Sequence, residues 1–132
     1  MRKEYPITPV PKPRMTRRDK WLSPPRKCVQ EYWNFRDLCL SKRICFSCDG
    51  AHIIFILPMP ESWSKKKKIL MDGCKHEDKP DLDNLLKSLG DALYRNDSCI
   101  WDVRITKRWG REGKIIIETG GSDAKPNRRR TK

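Results

Sequence analysis

Between Leu82 and Tyr94, leucines stand at positions 82, 85, 86, 89 and 93, the spacing of one face of an α-helix. Asp83, Lys87 and Asp91 are left on the other side of that helix. Such a segment has to press its leucine face onto another layer while its charged face stays in water. The remaining segments supply the second layer. Ala51 to Leu57 and residues 44–48 are rich in β-branched and aromatic residues and flank Asp49-Gly50, which predicts a strand, a hairpin turn and a strand, ended by Pro58 and Pro60. Ile100 to Lys107 and Lys114 to Thr119 predict two further strands joined by a glycine-containing hairpin loop, Trp109 to Gly113. Val29, Tyr32, Trp33, Phe35, Leu38 and Leu40 suit a second amphipathic helix from Cys28 to about Ser41–Arg43. The expectation is therefore an α+β fold, a small mixed β-sheet packed with two main helices.

At 132 residues the chain holds one domain. Residues 1–27 carry six prolines among many Lys and Arg, and predict an extended basic arm with at most an edge strand near Tyr5 to Thr8. Residues 28–119 form the expected domain, and residues 120–132, with Arg128 to Arg130, a basic disordered tail. Glu61 to Asp78 shows little periodicity and predicts a helical turn followed by a mobile basic loop bordering the acidic residues.

Lys and Arg number 30 against 17 Asp and Glu, a formal net charge of +13, so the molecule attracts polyanions, and nucleic acid is the leading partner. No segment approaches the roughly 18 apolar residues of a membrane span. The N-terminus never reaches an apolar signal core, which predicts a cytoplasmic protein whose six cysteines are mostly free thiols.

Within this basic chain, Asp81, Asp83 and Asp97 come from two segments flanking one helix. Clustered carboxylates hold hard divalent cations, which assist phosphodiester hydrolysis, and Lys87, one turn beyond Asp83, offers an ammonium to the developing charge. The same residues have plainer uses. Asp81 is a good N-cap, Asp83 complements the helix dipole and pairs at i,i+4 with Lys87, and Asn96-Asp97 suits a turn. A non-catalytic nucleic-acid-binding module is accordingly the alternative to a nuclease.

Asp81-Leu82-Asp83-Asn84-Leu85, Lys87, Asp91-Ala92-Leu93 and Asp97-Ser98-Cys99-Ile100 resemble the RusA-type Holliday junction resolvases. Leu57-Pro58-Met59-Pro60 and Ser62 to Lys66 are similar to phage-type members of that family. The resemblance, from about Ile53 to Ile117, implies a homodimer that cuts four-way DNA junctions by paired symmetric nicks. It also implies Mg²⁺ or Mn²⁺ bound by Asp81, Asp83 and Asp97, with Lys87 required for cleavage. The chain departs from the family in having Asn96 where many members have the first acid of an Asp-Asp pair, and Lys79-Pro80 where others carry more basic residues.

Lys65, Lys66, Lys67, Lys68 and Lys79 are the candidate phosphate contacts, and Trp63, Trp101 or Trp109 the candidate base-stacking residues, although a tryptophan in a strand more often belongs to the core. Cys45, Cys48 and His52, with Cys74 and His76, lack the spacing of a recognisable zinc finger.

Overall fold

The computed structural model describes residues 2–14, 17–21, 23–47, 49–94 and 100–119. Among these residues four strands and three α-helices follow in the order β1 (Arg2–Tyr5), α1 (Lys27–Ser41), β2 (Asp49–Pro58), α2 (Lys65–Met71), α3 (Leu82–Leu93), β3 (Asp102–Gly110) and β4 (Lys114–Glu118), with one 3-10 turn at Arg17–Lys20. The sheet runs β1-β4-β2-β3, with β2 parallel to β3 and antiparallel to β4, so it is mixed as expected.

The centre of the sheet is β2 because its sequence alternates best. Ala51, Ile53, Phe55 and Leu57 are buried on one face, while His52, Ile54 and Ile56 are half-buried on the other. Onto the first face pack Tyr32, Phe35 and Cys39 of α1 and Leu85, Leu89 and Ala92 of α3, joined by Ile115 and Ile117 of β4. The parallel partners β2 and β3 need a long crossover, and that crossover carries α2 and α3. This is how the acidic segment comes to lie against the sheet.

Several expectations fail for reasons visible in the packing. No hairpin joins residues 44–47 to β2. Ile44 and Phe46 instead drop separately into the core, and Gly50, at φ +95°, makes a bulge where the β2–β3 register shifts between Asp49 and Ala51. Nor do β3 and β4 form a hairpin, since β2, the most apolar strand, takes the position between them. Residues 110–113 must then bridge across the end of β2. Gly110 has no room for a Cβ beside the Ile56 side chain, and a Cβ on Gly113 would strike the backbone of Thr8. On α1 the buried stripe is Val29, Tyr32, Phe35 and Cys39, and it turns Leu38 and Leu40 outward.

The N-terminal segment is extended, but its strand lies at Arg2–Tyr5 and not at Tyr5 to Thr8, and it is bound to the fold. Arg2 pairs with Glu118 and Tyr5 with Ile115, Ile7 enters the core, and Pro9 is buried. Residues 61–78 hold the expected helical turn as a two-turn helix, and the stretch after it, expected as a mobile loop, is hydrogen-bonded to β3 through Gly73, Cys74 and His76. Ser64 caps α2 by accepting the Lys67 amide at 3.1 Å, and Lys, Ile, Leu and Met are good helix formers. The helix buries no residue, so its sequence carries no apolar stripe to betray it.

Candidate active site

The segment leading into α3 is bound along the outer edge of β3. Gly73 donates its amide to the Trp109 carbonyl (2.8 Å), Trp109 to Cys74 (2.9 Å), and His76 to Lys107 (3.2 Å). Lys107 then turns its side chain toward the helices. Its ammonium donates to the Asp78 carbonyl at 2.5 Å and the Pro80 carbonyl at 2.7 Å, beside the cis Lys79–Pro80 peptide. Both bonds are charge-assisted and fix the chain just before Asp81.

Asp81 occupies the N-cap position of α3 with extended backbone, yet its side chain caps nothing, so the exposed carboxylate remains available. Asp83, in the first turn, and Lys87, one turn on, are exposed, whereas Leu85, Ser88, Leu89, Gly90 and Ala92 are buried. The leucine face and the charged face thus divide as the spacing predicts. An open groove of about 440 Å³ is lined by Asp81, Asn84, Lys79, Pro80 and Pro11. Asp91, two turns beyond Asp83, is half-buried and forms an ion pair with Lys12. The Asn84 side chain donates to the Lys12 carbonyl at 3.3 Å.

Asp97 and Asn96 lie outside the described residues, as do Cys48, Cys99 and residues 120–132. Among the described residues no three His, Cys, Asp or Glu side chains converge on a point that could hold a metal ion. Asp81 and Asp83 do have the donor chemistry a hard divalent cation requires, exposed carboxylate oxygens, with Asp81 on the lining of the groove.

On the other side of the loop, Lys65, Lys66 and Lys67 are exposed and Lys68 half-buried. Their charge adds to the positive end of the α2 dipole, which weakens the helix but concentrates positive potential. Lys67 sits 4.2 Å above the Trp63 ring, Trp63 lies 4.8 Å from Trp109, and Trp109 lies 3.9 Å from the His76 ring. Trp109 is therefore buried inside a stack and unavailable to a base, whereas Trp101, assigned to the core on sequence, is 67% exposed. Burial and the nearby Lys107 ammonium lower the His76 pKa, against a weaker opposing effect of Asp78. His52 bonds to Thr106 (2.8 Å) on the open face of the sheet, away from the stacked His76.

A comparison with protein families matches residues 4–119 to endodeoxyribonuclease RusA. The chain belongs to the RusA endodeoxyribonuclease family. A search of curated proteins finds no match. Among the described residues the RusA match takes in β2 to β4, the three helices and the N-terminal segment from Glu4, within β1. It makes the protein an endonuclease, of the family of Holliday junction resolvases that the Asp81–Asn84 motif resembles. No helix among the described residues is long and apolar enough to cross a membrane.

Sequence reasoning gave no role to Lys107 or Lys12, and took Asn84 only as part of the Asp81–Leu85 motif. The available signal for Lys107 was its place in the alternation Val103, Ile105, Lys107, Trp109, where a lysine interrupts a helix-facing row. Nothing in the sequence pointed to Lys12, because its partner is 79 residues away.

Proposed function

We propose that this RusA-family endonuclease resolves four-way DNA junctions as a homodimer, each subunit hydrolysing one phosphodiester so that the nicks are paired. Mg²⁺ or Mn²⁺ would be held by Asp81, Asp83 and Asp97, and when bound supplies charge neutralisation and an acidified water. Lys87 stands on the exposed face of α3, one turn from Asp83, and its ammonium stabilises the extra charge on the phosphoryl oxygens in the transition state. Lys65 to Lys68 and Lys79 hold the backbones of the arms. The twofold symmetry of a dimer matches the two strands of like polarity that a junction offers.

The observation carrying this reading is the Asp81 carboxylate. It stands at a helix start where capping would be its ordinary use, makes no capping bond, and lines the groove instead. Support also comes from the family match and from the excess of positive charge around an acidic centre.

The test compares a labelled four-way junction with matched linear duplex, in Mg²⁺ and in EDTA, with products mapped on a denaturing gel. The expected result is symmetric, metal-dependent nicks at the junction, abolished in Asp83→Asn while junction binding persists or tightens as negative charge is lost. Full activity of Asp83→Asn would overturn the site assignment. Equal cleavage of the linear duplex would overturn junction resolution.

A further inference from the structure

The N-terminal segment does more than edge the sheet. After β1 it is anchored by Ile7 in the core and by Thr8 packed against Gly113, and Pro6, Pro9, Pro11 and Pro13 stiffen it as far as residue 14. This strap reaches α3 on its charged face. There the Lys12 ammonium pairs with Asp91, both side chains largely shielded at 28% and 22% exposure, and the Lys12 carbonyl accepts from Asn84. Asn84 immediately follows Asp83, and Asp91 lies one turn beyond Lys87. The two contacts therefore run alongside the proposed catalytic residues, one next to Asp83 and the other one turn past Lys87. Pro11, the residue before Lys12, forms one side of the groove, with Lys79 and Pro80 among its other lining residues.

Two alternatives for Asp91 are disfavoured by this arrangement. A metal ligand at Asp91 would have to give up its ion pair, and a merely solvated acid would not be three-quarters shielded beneath a lysine from another part of the chain. Nor is Asn84 free to read a base with its amide nitrogen, which is committed to the strap.

We propose that residues 7–14 are the wall of the cleavage groove, and that the Lys12–Asp91 ion pair and the Asn84–Lys12 carbonyl bond are positioning contacts that hold this wall in place. Pro11 of the strap stands on the same groove as Asp81, so the strap limits the directions from which DNA can approach the acids. With the wall fixed, the acids are reached by a strand that leaves its duplex at a branch point. With the wall loosened, strands of ordinary duplex gain access. This inference rests on the placement of the cleavage site at Asp81 and Asp83.

The test is a double-mutant cycle with Lys12→Ala and Asp91→Ala, together with the exchanged pair Lys12→Asp/Asp91→Lys. Each protein is measured for cleavage of a four-way junction and of the matched linear duplex, and for Tm. Each single variant is expected to lower the junction-to-duplex cleavage ratio about tenfold, with the double variant no worse than either single and the exchanged pair recovering much of the ratio. Asn84→Ala should shift the ratio in the same direction. Losses that multiply, or an exchanged pair that folds normally but recovers nothing, would overturn the proposal. So would Asp91→Ala abolishing cleavage while Lys12→Ala leaves it intact, since that is the behaviour of a metal ligand. A fall in Tm with an unchanged ratio would reduce the pair to a structural tether and equally overturn it. If Asp83→Asn keeps full activity, the failure lies in the site assignment and not in the strap.

Discussion

Lys107→Met isolates the effect of the edge strand on the acidic loop. The substitution keeps an unbranched stem of similar length and removes the ammonium that donates to the Asp78 and Pro80 carbonyls at 2.5 and 2.7 Å. A hydrogen bond from a charged group contributes about 1.5 to 3 kcal/mol when well shielded. Asp78 is exposed, so water replaces much of one bond, while Pro80 is half-buried and loses more. The sum is about 2 kcal/mol, which for a domain of this size corresponds to a fall in Tm of roughly 8 °C. Cleavage should fall as well, by tenfold or more, because the loop delivering Asp81 is no longer tied to β3. The assay is thermal unfolding together with single-turnover cleavage of a four-way junction, with Lys79→Met as the control. Lys79 is exposed and lines the groove, so its loss removes equal charge with Tm held within about 1 °C and weaker DNA binding as the main effect. If the two variants behave alike, Lys107 is a surface cation and the tethering account is wrong.

Three further predictions concern the surroundings of the site. Replacing Lys65 to Lys68 by Gln should weaken junction binding and reduce the slope of log K against log salt by roughly 0.9 for each phosphate that the helix no longer neutralises, measured by titration at several salt concentrations; an unchanged slope would show that α2 does not touch DNA. His76 has a pKa below its ordinary 6.5 because burial and Lys107 disfavour the imidazolium, so the unfolded chain takes up the proton first. Stability should be intact above about pH 6.5 and decline as pH falls from there toward the lowered folded pKa, and His76→Gln should flatten that part of the Tm profile. Cys39 is fully buried with its thiol pushed up to about 12, whereas Cys28 and Cys45 are exposed. A maleimide should therefore label Cys28 and Cys45 in the native protein and reach Cys39 only after denaturation, as read by peptide mapping.

The legible parts of the chain were those whose signal is local. The division of α3 into a leucine face and a charged face follows from spacing within twelve residues, and the alternation of β2 is carried by the stretch Ala51 to Leu57. The Asp81–Asn84 motif and Lys87 could be singled out because they are consecutive or one turn apart. The Lys65–Met71 helix was legible only as a helical turn, because it buries nothing and the periodicity that announces a longer helix was never required of its sequence. Trp101 was misassigned because an aromatic residue at a strand start looks the same whether the flanking face is covered or open.

The sequence by itself determined the fold class, the polyanion-seeking charge and the acidic motif of a RusA-type nuclease, because composition and short-range periodicity act within a few residues of chain. Tertiary structure alone decided the strand order that sets β2 between β3 and β4, and with it the loss of both expected hairpins. It also decided that Lys107 would hold the Asp81 loop and that Lys12 would reach Asp91 across 79 residues. Those partners are chosen by which surfaces the packed core brings together, and a pairing between distant segments leaves no mark on either one until the core between them has formed.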